Sequence, residues 1–209
     1  MPDALLFVTP DCPHCAVVLR ALEDLHSEGL IDKVQVLDAT EHPVEVKQYG
    51  VRSAPWLRLG PFTLTGTHSL AELRQWTGWA YGEEGIVRYV EHLLKQGDYQ
   101  QAVSFIAADP QRLEALLAIL ADVDAGIDVR LGASAMLERY RNMPELQRLL
   151  PQLAELARHA DHRVRADACH LLGLTACAAA RSHLIACLDD ESAEVREIAG
   201  EALVELEKQ

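Results

Sequence analysis

The sequence predicts an α/β unit followed by an all-α helical solenoid, and three observations predict it. Strand-length apolar runs alternate with helical stripes as far as about Gly78, after which strand signals stop. From Glu83 onward the chain reads as helices of roughly 10 to 15 residues with short turns, and a Val-Arg pair recurs at Val129-Arg130, Val164-Arg165 and Val195-Arg196, spaced 35 and then 31. Apolar residues make up 49% of the 209 but aromatics only 5%. A core must then be built from Ala, Leu and Val, which suits helices.

The first part has the order β-α-β-α-β-β-α. "ALLFV" (4–8) is a continuous apolar run of strand length. Residues 13–28 follow with apolar side chains at Ala16, Leu19, Leu22 and Leu25, a helical stripe that Gly29 ends. "KVQVLDA" is a second strand, and "HPVEVKQYG" a short helix with Pro43 near its start and Gly50 past its end. "PWLRLG" and "PFTLTG" are short strands meeting at Gly60-Pro61. "SLAELRQW" closes this part as a helix, with Ser69 as N-cap and Glu72 three residues on, a capping-box pattern.

A repeat of 31 to 35 residues with two helices per unit indicates stacked helical pairs. "LPQLAELARHA" and "ARSHLIACLDD" supply the first helices of the last two units. The Val-Arg arginines are expected to brace neighbouring repeats through Asp161 or Asp190. Cys169, Cys177 and Cys187 read as small packing residues, as free cysteines commonly are.

Charge and length exclude some functions. The net charge of −13 divides into −4 up to residue 80 and −9 beyond it, so neither part is a hidden basic module. Nucleic acid and anionic membrane are therefore not expected partners. No apolar run approaches the ~20 residues of a membrane span. "MPDALLFV" has an acid where a secretion signal would be basic, so a cytoplasmic location is expected. In that compartment structural disulfides are rare, and a Cys-x-x-Cys is more often catalytic or metal-binding.

That motif is Cys12-Pro13-His14-Cys15, at the point where the first strand ends and a helix begins. Three readings present themselves: a redox pair, half of a metal site, or two buried structural residues. Zinc needs about four ligands, and no second Cys-x-x-Cys or His pair at finger-like spacing supplies them; two thiolates alone could hold Cu(I), which prefers soft ligands. The redox reading has a direct physical basis. Cys12 falls at the helix N-cap and Pro13 at the first helical position, where a missing N–H costs nothing. Free backbone N–H groups and the helix dipole then favour a Cys12 thiolate, the attacking species in disulfide exchange. His14 adds to that stabilisation when protonated, and Cys15, one turn in, is placed to resolve the mixed disulfide.

These residues, with "VRSAPWL" (51–57), resemble the thioredoxin superfamily in its short glutaredoxin-like form over about residues 3–80. The resemblance implies a thioredoxin-like domain (1–81), with Cys12 and Cys15 catalytic and Pro13 and His14 tuning them. It further implies that Pro55 is the family's cis-proline, that Ala54 and Pro55 meet substrate, and that no cofactor or metal is needed. Asp11 stands where thioredoxins carry Trp, and only Gly66 matches the glutathione-holding motif of glutaredoxins. Residues 110–209, after connecting helices at 82–109, are similar to HEAT-like repeats, which implies a docking surface for protein clients. The expected function is that of a thiol-disulfide oxidoreductase with an electron donor the sequence does not name. The alternative is a binding scaffold whose cysteine pair is a redox sensor or a Cu(I) site.

Overall fold

A computed structural model of the chain describes residues 1–207, which divide into two compact units, Met1–Gly85 and a second beginning at Ile86. The first holds β1 (Ala4–Val8), α1 (Pro13–Ser27), β2 (Val34–Asp38), α2 (Pro43–Tyr49), β3 (Trp56–Leu59), β4 (Phe62–Thr65) and α3 (Leu70–Trp79). The strands form one mixed sheet in the order β2-β1-β3-β4. β1 pairs parallel with β2 and antiparallel with β3, and β3 pairs antiparallel with β4.

β1 is an uninterrupted apolar run because both of its faces are covered. On one face Leu6, Leu57 and Leu64 share a cross-strand row and are buried, and Phe62 meets Trp76 of α3 edge-on, with ring centroids 5.3 Å apart. On the other, Leu5, Phe7 and Trp56 form a cluster against which Val46 and Tyr49 of α2 pack. Helix ends follow their sequence signals. Gly50 closes α2 in the left-handed region (φ 66°), and Ser69 and Glu72 form a reciprocal capping box at the start of α3. Gly60 takes φ 55° as the first residue of the two-residue β3–β4 loop, a conformation that favours glycine.

The stripe of α1 lies one step round from the expected one. Cys15, Val18, Ala21, Leu22 and Leu25 are buried, whereas Ala16 is exposed and Leu19 half-buried. Leu22 and Leu25 serve both stripes. Two apolar rows run along this helix, and the one carrying the bulkier Val18 faces the sheet.

The second unit is helical throughout the described residues. α4 (Glu83–Lys95) begins at its border and is followed by α5 (Tyr99–Ala107), a 3₁₀ turn (Pro110–Arg112) and α6 (Leu113–Ala121). Then come α7 (Ile127–Glu138), α8 (Pro144–Gln147), α9 (Leu150–Leu156), α10 (His162–Leu174), α11 (Ala180–Cys187) and α12 (Ala193–Glu207). The two shortest, α8 at four residues and α9 at seven, fall well below the expected length. Pro144 and Pro151 are the reason. Proline is tolerated in the first helical turn but not inside a helix, so each forces a fresh start. α10 is the centre of the array, packing on α7, α9, α11 and α12. It is buried almost all round, from Val164 to Leu174. No helix among the described residues is long and apolar enough to cross a membrane.

The Val-Arg arginines tie the repeats together, with one of the two expected carboxylates as a partner and the other not. Each lies in the first turn of a helix and reaches back to carbonyls at or just past the end of the preceding one, where backbone acceptors are left over from the helix. Arg130 donates to the carbonyls of Leu120 (2.7 Å) and Asp122 (3.2 Å), Arg165 to those of His159 and Ala160 (both 2.9 Å), and Arg196 to those of Asp190 (2.7 Å) and Glu191 (3.0 Å). Arg165 also holds the Asp190 carboxylate through two bonds of 2.8 Å, as expected. Asp161, however, caps α10 and pairs with Arg163, while the carboxylate that Arg130 reaches is Asp167, at 2.6 Å. Asp161 is held well below the usual carboxylate range by the Arg163 hydrogen bonds.

Two glycines near the centre should respond in opposite senses to alanine. A Cβ at Gly173 in α10 would come within 2.8 Å of the Ala202 Cβ and 3.0 Å of its Cα, atoms that cannot swing away. The overlap, about 1–3 kcal/mol for an overpacked site, exceeds the ~1 kcal/mol that alanine gains in helix propensity. At Gly200 in α12 the nearest atom is 4.0 Å off, so only the propensity gain remains. Thermal unfolding followed by circular dichroism should show Gly173→Ala lowering the midpoint and Gly200→Ala raising it.

Candidate functional site

The Cys-x-x-Cys sits where β1 hands the chain to α1. After Val8 the backbone turns, with the Cys12 N–H donating to the Thr9 carbonyl (3.3 Å). Cys12 is extended (φ −93°, ψ 103°) and caps α1, its Sγ accepting the Cys15 N–H at 3.1 Å. A sulfur thus stands where Ser, Thr, Asp or Asn usually takes this bond. Pro13 occupies the first turn of α1, and both it and His14 are exposed. Cys12 and Cys15 are joined as a disulfide with Cα atoms 5.3 Å apart, inside the range a disulfide spans. Their exposure differs: Cys15 is 4% accessible on the buried stripe of α1, and Cys12 is partly open to solvent. An attacking thiol arriving from outside therefore meets Cys12 first.

The sheet brings Ala54-Pro55 to the same end of the unit. Phe7 of β1 lies opposite Trp56 of β3, so the residue before Trp56 adjoins the end of β1 from which the cysteine turn departs. The Ala54–Pro55 peptide bond is cis, and the Pro55 carbonyl accepts the Gly66 N–H at 3.0 Å. Pro55 is buried and Ala54 half-buried. Among the described residues neither the N–H nor the carbonyl of Ala54 has a hydrogen-bond partner. Trp56 belongs to the core: it is 5% accessible and meets Phe7 edge-on, centroids 5.6 Å apart. Asp38, at the corresponding end of β2, is occupied locally. Its carboxylate accepts the Thr40 hydroxyl and N–H, which hold it below its ordinary range.

Elsewhere Cys169 and Cys187 are buried and Cys177 is half-buried. No group of three or more His, Cys, Asp or Glu side chains among the described residues is placed to hold a metal ion. What sequence reasoning missed is the partner of Cys187. Its thiol donates to the Ala157 carbonyl, just past α9, at 3.9 Å. Only the packing of α11 on α9 brings the two together.

Residues 113–204 match the family model for HEAT repeats. No curated protein matches the chain.

Proposed function

We propose that this protein is a thiol-disulfide oxidoreductase, its first unit a short thioredoxin-like domain acting through Cys12 and Cys15 on protein clients that its HEAT repeats dock. The observation that carries the reading is the partly exposed Cys12 sulfur at the N-cap of α1, bonded to a buried Cys15. The parallel β1–β2 pair, the antiparallel β3–β4 hairpin and the cis peptide before β3 are the arrangement that the resemblance implies. In the reduced protein a Cys12 thiolate receives the Cys15 N–H and the dipole of α1. It attacks one sulfur of the client disulfide and releases the other as a thiolate. Cys15 then loses its proton and attacks Cys12, so the client leaves as a dithiol and the disulfide seen here reforms. The free main-chain groups of Ala54 are available to pair with an extended client segment. HEAT repeats commonly mediate protein interactions.

Unequal thiol reactivity tests the chemistry. Alkylation of the reduced Cys15→Ser protein across a pH series should give an apparent pKa for Cys12 at least about one unit below the free-cysteine value of ~8.5. Cys15 in the Cys12→Ser protein should label far more slowly. A Cys12 that titrates like free cysteine would remove the basis for activation.

A further inference from the structure

We infer that the exposed face shared by α7, α10 and α12 docks a short basic amphipathic helix of a partner protein. The aliphatic ridge of that helix packs on α7, and its Lys and Arg side chains meet the carboxylates alongside. This rests on the reading above, since it names the kind of client segment that the repeats hold. The stripe at the centre of the face belongs to α7. Ile127, Leu131, Ala135 and Glu138 follow one another at helical spacing and all four are exposed, Ile127 at 77% and Leu131 at 65%. Two bulky aliphatic side chains one turn apart, both largely in water, add little to this chain's own core. Rimmed by charge, such a patch marks a surface that a partner covers.

The surface continues from α7 onto its neighbours. Glu138 meets His170 of α10 at 3.2 Å, and the buried Arg130 holds Asp167. Between α10 and α12 runs a groove of about 320 Å³ lined by Asp167, His170, Ile198, Glu201 and Glu205. The charge along this face is one-sided. Asp128 and Glu201 have no cationic partner among the described residues. Glu138 and Glu194 face only the imidazoles of His170 and His162, which carry charge only when protonated.

Charge selects the occupant. The residues beyond 80 carry a net charge of −9, so this face repels nucleic acid, anionic lipid and a second copy of the same chain, and attracts a cationic segment. Length selects its size. From Ile127 to Glu138 the stripe runs about 16 Å at 1.5 Å per residue, a span that about three turns of a partner helix match. The two kinds of contact divide the work: burial of Ile127 and Leu131 supplies affinity, and the flanking carboxylates fix orientation and exclude acidic segments.

The test uses the full chain and, as probe, a fluorescein-labelled amphipathic peptide of leucine and lysine, about 12 residues long, followed by anisotropy. One companion peptide replaces each lysine with glutamate, and another replaces each leucine with alanine. The leucine–lysine peptide should bind, and each companion should bind at least about tenfold more weakly. Ile127→Ser and Leu131→Ser should each weaken binding about tenfold, the effect of one buried aliphatic side chain. Glu201→Gln should weaken it about threefold at low salt, the scale of one exposed charge pair. Ile185→Ser, at an exposed isoleucine of α11 outside the stripe, should leave it unchanged. Circular dichroism shows whether each variant keeps its helices. Binding that ignores both Ile127→Ser and Leu131→Ser would overturn the proposal, as would equal binding of the glutamate peptide. A dimer in sedimentation that Leu131→Ser dissociates would also overturn it, in favour of self-association. No thiol takes part in the binding, so the outcomes separate. Peptide binding without disulfide turnover rejects the redox reading alone, and turnover without peptide binding rejects this docking face alone.

Discussion

Replacing Cys12 with serine should lower catalysed reduction of a protein disulfide such as insulin by at least about a thousandfold, as expected for loss of a covalent nucleophile. Cys15→Ser should fail differently. Its Cys12 still attacks, but the resolving sulfur is missing, so the reaction should stop after one turnover at a mixed disulfide. Expressed in cells as the full chain, this variant should hold client proteins that reductant releases. The asymmetry follows from exposure, since Cys12 is reachable and Cys15 lies on the buried face of α1. Disulfide reduction unaffected by Cys12→Ser would reject the enzyme. Stoichiometric oxidation that alters partner binding, with no turnover, would put a redox-sensing scaffold in its place.

The second large effect belongs to Arg165. Its guanidinium satisfies two carbonyls beyond α9 and holds Asp190, with both side chains mostly buried at 9% and 12% accessible. Arg165→Ala leaves that carboxylate and those carbonyls without their partner, and should cost about 3 kcal/mol in urea unfolding. The three tryptophans, Trp56, Trp76 and Trp79, all lie in the first unit, so far-UV circular dichroism is the signal that follows the helices. The pH dependence has a definite sign. Asp190 is held below its usual range chiefly by the Arg165 hydrogen bond. A depressed carboxylate stabilises the fold above the unfolded aspartate value of ~3.9 and loses that contribution as pH falls through the folded one. The gap between the wild type and Arg165→Ala should therefore be full at neutral pH and close in acid. An unchanged unfolding midpoint at pH 7 would contradict the bracing role.

What could be read from sequence was local, and what escaped it was long-range. The Ser69–Glu72 box, Gly50 after α2 and the place of Cys12 before Pro13 each depend on neighbours within one helical turn, so the chain declares them directly. The buried row of α1 does not, because two apolar rows compete and only the packed sheet chooses. For the arginines, Asp161 was a plausible partner by position, yet it is taken by Arg163 two residues away, and Arg130 reaches Asp167 across repeats instead. The bond from the Cys187 thiol to the Ala157 carbonyl depends wholly on how α9 and α11 stack. The cis bond at Pro55 entered only through the family resemblance, since X–Pro bonds are about 5% cis in folded proteins and no spacing reveals one.

The sulfur that caps α1 has one more consequence. In most helices the capping atom is chemically inert, so helix stability and reactivity are separate properties. Here one atom carries both. Charge on Cys12 strengthens the hydrogen bond from Cys15 and the attraction to the helix dipole, and bonding it to another sulfur removes that charge. A thermodynamic cycle then requires that whatever the folded chain adds to the stability of the thiolate appears, undiminished, as a shift of the couple toward the reduced form. A cap of ordinary strength, about 1 kcal/mol, corresponds to roughly 20 mV. Calorimetry of the reduced and oxidised protein and electrochemistry of the couple would thus read the same quantity from two sides.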